Sequence, residues 1–414
     1  MSDKLIGACI FGQSGGPTAV INSSAYGVIR AALDSPEITK VYGAANGIEG
    51  VLNDKLYDME LEDSYELSLL MNTPSSELGS CRYKLASSED DDTDYKKILE
   101  IFKKYDVRYF FYNGGNDSMD TCDKVSKYME KVGYECRIMG VPKTVDNDLN
   151  GTDHCPGFAS AAKYIATSCM EIAKDACVYE KGQMTVVEIM GRHAGWLAGS
   201  AALATYKGAG PDLVYLPETD FDMETFFNDV ESVFNKKGSC FIAVSEGIHY
   251  ADGNFVNDVK TSATDGFGHT QLGGLASFLA NKLNERFNMK VKGIELNILQ
   301  RAASHCASQT DIDEAVMVGK VAVESAINGE TDKMVALKRT YNQNKYIGST
   351  ELTPLSTVAN FEKKVPIDWI NENHNFVTED FIDYVLPLIQ GDRNVVYEDG
   401  LPRYSKLKKI LTKG

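Results

Sequence analysis

Residues 107–118 read Val107-Arg-Tyr-Phe-Phe-Tyr-Asn-Gly-Gly-Asn-Asp-Ser118, and residues 137–148 read Arg137-Ile-Met-Gly-Val-Pro-Lys-Thr-Val-Asp-Asn-Asp148. Each begins with a short apolar run that is too brief for a helix and reads as a buried strand. Each then breaks into a loop, the first rich in glycine and the second crowded with carboxylates and a lysine. Glycines let backbone N–H groups approach phosphate oxygens. Carboxylates hold a divalent metal or take a proton from an attacking hydroxyl. In open α/β sheets such loops gather at the carboxyl ends of the strands, where ligands bind.

Strand-like and helix-like segments alternate on either side of these loops. Leu5–Phe11, Ile38–Ala44, Met184–Met190, Asp212–Leu216, Ser239–Val244 and Lys292–Leu296 read as strands. Helical patterns cover residues 18–33, 95–105, 119–132, 159–176, 223–234, 272–287 and 311–327. Such βαβ alternation predicts an α/β fold of mostly parallel sheet flanked by helices. Residues 340–414 read as turns and short helices, a surface extension. The acidic run Glu89-Asp-Asp-Asp-Thr-Asp94 reads as a solvated loop, with Thr93 or Asp94 capping the next helix.

With 414 residues the chain can bury a large core in two domains. A net charge of −17 opposes non-specific nucleic-acid binding, yet a local cationic pocket can still take an anionic substrate. No apolar run approaches the roughly 20 residues of a membrane span, and the amino terminus leads directly into a strand. Both readings predict a cytoplasmic protein with no membrane partner. The 9 cysteines lack Cys-x-x-Cys spacing and read as reduced thiols. The 6 histidines lack ligand spacing.

Gly12-Gln-Ser-Gly-Gly-Pro17 follows the first strand, and the amides of Gly15 and Gly16 offer an anion site. The same residues satisfy Gly-x-Ser-x-Gly, but no oxyanion loop lies upstream of them. No Walker A sequence occurs, which excludes a P-loop kinase.

In this order, Gly-Gly-x-Asp-Ser, Pro-Lys-Thr-Val-Asp-Asn-Asp and Met190-Gly-Arg192 resemble the phosphofructokinases. Asp117 and Lys143 resemble the pyrophosphate-dependent branch, because nucleotide-using relatives carry glycine at both positions. The resemblance runs to about residue 325 and implies two lobes with an active cleft between them. Residues 1–157 and 296–330 would form a pyrophosphate-binding lobe and 158–295 a sugar-phosphate lobe, with 331–414 packing on both. It implies reversible phosphoryl transfer to C1 of fructose 6-phosphate, in a homodimer or homotetramer. Asp146 would be the general base, with Asp148 and Asn116 on the Mg2+ side. Lys143 would neutralise pyrophosphate, and Asp117 would repel the α-phosphate of a nucleotide. Thr144 and Val145 fall on the substrate side. Met190, Gly191 and Arg192 would contact the phosphorylated sugar, Glu246 its hydroxyls and Arg301 its 6-phosphate. Arg82 would reach toward the transferred group.

Some positions depart from the family pattern. Two arginines that nucleotide users lend from a neighbouring subunit correspond to Gln183 and Lys292, and a histidine near the Gln300-Arg301 pair corresponds to Ile298. An ATP-dependent phosphofructokinase and a non-catalytic phosphosugar-binding subunit are the alternatives. Asp117 and Lys143 oppose the first; intact Asp146, Asp148 and Arg192 oppose the second.

Overall fold

The computed structural model describes residues 4–178, 182–257, 274–343 and 345–412. Its strands are β1 (Gly7–Gln13), β2 (Ile38–Ala44), β3 (Leu56–Asp58), β4 (Val107–Gly114), β5 (Arg137–Pro142) and β6 (Met184–Ile189). They continue with β7 (Leu213–Tyr215), β8 (Cys240–Ser245), β9 (Val291–Glu295), β10 (Lys333–Asn342) and β11 (Lys345–Pro354). One sheet of 7 strands runs β11-β10-β5-β4-β1-β2-β3, and a second of 4 strands runs β7-β8-β6-β9. All neighbours are parallel except β2/β3 and β10/β11. Helices cover both faces, so β1 is buried along its whole length, as a central parallel strand must be.

Most of the expected elements are present with shifted ends. The first helix begins at Ile21 rather than near residue 18, so the Gly15-Gly16 turn lies ahead of it. The helix read at 272–287 is described from Leu275 to Phe287; residues 272 and 273 lie outside the described residues. Neither Thr93 nor Asp94 is the cap of its helix. Asp91 accepts from the Thr93 N–H at 2.9 Å, and Asp94 accepts from the Tyr83 hydroxyl at 2.6 Å. No described helix is long and apolar enough to cross a membrane. All 9 cysteines are free thiols, and all but Cys177 and Cys306 are buried.

The largest departure lies beyond residue 330. Turns and short helices were expected, but β10 and β11 form a ladder of 10-residue strands that extends the first sheet beyond β5. Only the first half of β10 is buried, and the polar outer half hides the strand period.

Two contacts fix this frame. Helix Ile21–Leu33 packs on helix Gln309–Ile327 at a pair of glycines. A methyl on Gly27 would sit 2.3 Å from the Val316 carbonyl, and one on Gly319 would sit 2.4 Å from the Ser24 carbonyl. The second contact is a buried polar cluster. His154 Nε2 meets Glu314 at 2.6 Å and its Nδ1 meets Asp153 at 2.8 Å. Arg339 of β10 pairs with Asp153 at 3.0 Å, and the Tyr346 hydroxyl of β11 donates to Glu314 at 2.5 Å. Burial alone would lower the His154 pKa, but Glu314 and Asp153 outweigh it and hold it near 9.

Gly319→Ala should destabilise the protein by roughly 1–3 kcal/mol, because the added methyl meets backbone that cannot yield. Urea denaturation measures it. His154 titrates higher in the folded chain than in the unfolded one, so its contribution is complete below the unfolded value of 6.5 and is lost as pH rises toward 9. The urea midpoint should therefore fall across that interval, and His154→Gln should flatten the fall.

Candidate active site

Strand register assembles the site. Gln13 of β1 lies opposite Asn113 of β4, and Gly114 of β4 lies opposite Pro142 of β5. The loops after these adjacent parallel strands therefore emerge side by side. The Lys143 N–H donates to the Gly114 carbonyl at 3.0 Å, which ties the lysine loop to the glycine loop. Gly114 cannot be replaced, since a methyl there would overlap Ser118 Oγ at 1.9 Å. Asn147 adopts φ of 55°, a left-handed turn between Asp146 and Asp148.

A cleft of about 250 Å³ opens at these strand ends. Gly15, Gly16, Arg82, Asn116, Asp117, Lys143, Thr144, Val145, Asp146, Asp148, Met190 and Arg301 all line it. These residues come from both sheets' loops and from segments more than 200 positions apart. Gly191, Arg192 and Glu246 are not among those lining residues but adjoin them: Gly191 and Arg192 follow Met190 directly, and Glu246 is bonded to Gly191. There Glu246 Oε1 accepts from the Gly191 N–H at 3.3 Å, and the Met190 N–H donates to Gln300 at 3.3 Å. Gly191 has φ of 135°, a conformation that favours glycine. The Arg192 guanidinium lies over the Phe255 ring, 5.4 Å from its centroid.

The Gly15 amide does not play the part expected of it. Its N–H donates to the Cys81 carbonyl at 3.0 Å, which anchors the loop that carries Arg82. Gly16 matters for a different reason: a methyl on it would sit 3.0 Å from Arg301 Nη1 and 3.8 Å from Arg82 Nη2. A side chain at this position would crowd the Arg301 guanidinium. Ser14 is buried and hydrogen-bonds Tyr112, so it is no surface nucleophile.

The electrostatics describe a cleft shaped for a polyanion. Lys143 is buried, and its Nζ donates to the Gly16 carbonyl at 2.5 Å. Burial, with the repulsion of Arg301 and Arg82, lowers its pKa to about 7 against the pull of Asp146. Burial also lowers the Arg301 pKa, helped by Arg82. Conversely, burial and the nearby charges of Asp148 and Glu246 raise Asp146 to about 7. Burial likewise raises Asp148, although Thr144 hydrogen-bonds it. Asp117 stands in the first turn of helix Asn116–Lys131, 3.6 Å from Lys84 Nζ.

The donor set fits a divalent metal on one side of this cleft. Asn116 Oδ1 and Asp148 Oδ1 are shielded from solvent, and neither accepts a hydrogen bond from a described residue. Two neutral or anionic oxygens left without donors are what a hard cation takes. One lining residue was missed altogether: Glu362, which follows no recognisable motif and reaches the cleft from the carboxyl-terminal part of the chain.

Parallel strands whose carboxyl ends carry a glycine loop and paired carboxylates, with a buried lysine, a half-buried arginine and an exposed arginine around them, define a phosphotransfer fold. The chain belongs to the phosphofructokinase family, whose model, described as Phosphofructokinase, matches residues 8–326. It is 47% identical to the pyrophosphate--fructose 6-phosphate 1-phosphotransferase of Halomonas elongata, over 96% of each chain. It is 43% identical to the protein of that name from Methylococcus capsulatus, over 97% of this chain and 96% of that one. The crystal structure of a pyrophosphate-dependent phosphofructokinase from Nitrosospira multiformis superposes with a TM-score of 0.90 at 39% identity, covering 99% of this chain and 98% of that one.

A polyanion entering the cleft should raise the Lys143 pKa, since it replaces lost solvation and offsets Arg301 and Arg82. Binding of metal-free pyrophosphate at pH 8 should therefore take up protons, and at pH 5.5 it should take up few. Calorimetry in buffers of different ionisation enthalpy reads this directly, and Lys143→Met should remove most of the uptake.

Proposed function

We propose that the protein transfers a phosphoryl group from inorganic pyrophosphate to C1 of fructose 6-phosphate, giving fructose 1,6-bisphosphate and phosphate. The observation that carries this reading is that Asp117 and Lys143 line one cleft with Asp146.

Asp146 accepts the proton of the sugar C1 hydroxyl as that oxygen attacks phosphorus. A carboxylate titrating near 7 is a far better base than an ordinary one and is still ionised enough at neutral pH. The Asp146 N–H donates to Thr144 Oγ1 at 3.1 Å, which holds the loop in place. Lys143 and Arg82 hold the pyrophosphate oxygens and balance charge as the bridging bond breaks. Arg301 takes the sugar 6-phosphate, and its forked guanidinium suits that group. Met190, with Gly191, Arg192 and Glu246 adjoining it, shapes the sugar side. Asp117 excludes nucleotide donors by charge and volume. Asn116 and Asp148 would hold Mg2+, which would supply positive charge to offset the negative charge of the pyrophosphate as it reacts.

In this reading residues 1–157 and 296–330 form the donor lobe and 158–295 the sugar-phosphate lobe, while 331–414 form an extension whose strands β10 and β11 join the first sheet. The same reading makes the protein a cytoplasmic homo-oligomer catalysing a reversible step.

The test is fructose 1,6-bisphosphate formation from fructose 6-phosphate and Mg2+, run in parallel with pyrophosphate and with ATP. Turnover is expected with pyrophosphate; turnover with ATP alone would overturn the role given to Asp117 and Lys143. Asp146→Asn should lower kcat by about 10²–10⁴-fold, and survival of turnover within about tenfold would remove Asp146 as the base.

A further inference from the structure

Residues 360–365 run as a strap across the metal side of the cleft, and they lie outside the segment 8–326 that defines the family. The strap is hydrogen-bonded to three separate parts of the molecule. At the start of helix Asn116–Lys131, Asn116 Nδ2 donates to the Phe361 carbonyl at 2.9 Å. Along the catalytic loop, the Lys363 N–H donates to the Asp148 carbonyl at 2.7 Å, and Leu149 bridges Glu362. On the other lobe, Trp196 Nε1 donates to the Lys363 carbonyl at 3.0 Å, and the Val365 N–H donates to Glu218 at 3.0 Å.

Two consequences follow for the cleft. An amide has one donor end and one acceptor end. With the Asn116 nitrogen spent on Phe361, its oxygen must turn the other way, and that oxygen accepts no hydrogen bond from a described residue. In the same cleft, Asp148 Oδ1 also accepts no hydrogen bond from a described residue, and Glu362 lines that cleft with its backbone paired to Leu149, next to Asp148. A fourth carboxylate, beside Asp117, Asp146 and Asp148, placed among anionic substrates costs binding unless a cation lies between them.

We propose that the strap is part of the active site: the Phe361 carbonyl orients Asn116, and Glu362 joins Asn116 and Asp148 in an oxygen donor set for the divalent cation. Asparagine thus works in the metal site because the strap aims its oxygen and Glu362 restores negative charge. This inference rests on the reading of the cleft as a metal-dependent phosphotransfer site.

The full chain is titrated with Mn2+, followed by electron paramagnetic resonance, with and without pyrophosphate. Glu362→Gln should weaken Mn2+ binding by about tenfold. It should raise the Mg2+ concentration for half-maximal turnover by a like factor, with the KM for fructose 6-phosphate unchanged. Glu362→Asp should recover part of the loss. A purely structural role would instead lower the melting temperature and shift tryptophan emission without a metal-selective effect. Mn2+ affinity within twofold of wild type in Glu362→Gln would overturn the proposal, as would a wild-type chain that binds no Mn2+ under either condition. Should Glu362→Gln weaken Mn2+ while pyrophosphate supports no turnover, the metal assignment stands and the choice of donor fails separately.

Discussion

The pairing of β5 with β4 is the constraint on which the site depends. Because these strands are parallel and in register through Gly114 and Pro142, the glycine loop and the carboxylate loop leave the sheet side by side. One backbone hydrogen bond, from Lys143 to Gly114, then locks them together. Everything chemical is hung on that junction. The lysine is carried beneath Gly16, the left-handed turn at Asn147 separates two carboxylates, and Arg301 approaches over a glycine that leaves it room. A slip of one residue in this pairing would exchange the faces on which alternate side chains stand.

Burial does most of the electrostatic work. The cleft places cations and carboxylates where solvent screens them poorly, so Lys143 loses basicity and Asp146 gains it, and both arrive near neutrality. Neither side chain would behave this way on a surface. The pattern is one of groups held away from their ordinary ionisation until a ligand of the right charge completes them. The cation-rich side fits phosphate oxygens, and the carboxylate side fits a hydroxyl proton and a hard metal.

Much of this was legible in the sequence, because strong local signals and the chemistry coincide. The apolar runs ending in Gly114 and Pro142 identify strands, and the residues just after them identify loops that face a ligand. Arg82 and Arg301 could be placed through motifs even though their neighbours gave little local signal. What escaped was of two kinds. Helix and strand ends moved because hydrogen bonding, not periodicity, sets them, as with Asp91 at the helix beginning at Thr93. The role of the carboxyl-terminal region escaped because it depends on long-range pairing. Nothing around Phe361 or Glu362 distinguishes them from a surface loop, and β10 announces itself only by lying against β5.

That last pairing bears on how the chain comes to its fold. β5 occupies residues 137–142 but waits for β10 at 333–342, and the cleft is not walled until residue 362 has arrived. A nascent chain leaving the ribosome therefore carries five of the seven strands of the first sheet, with the β5 edge open, while residues 143–332 are made. Contacts of such sequence separation form late and slowly, and an unpaired edge invites the wrong neighbour. The region that looks like an appendage in the sequence is thus the closing piece of the fold.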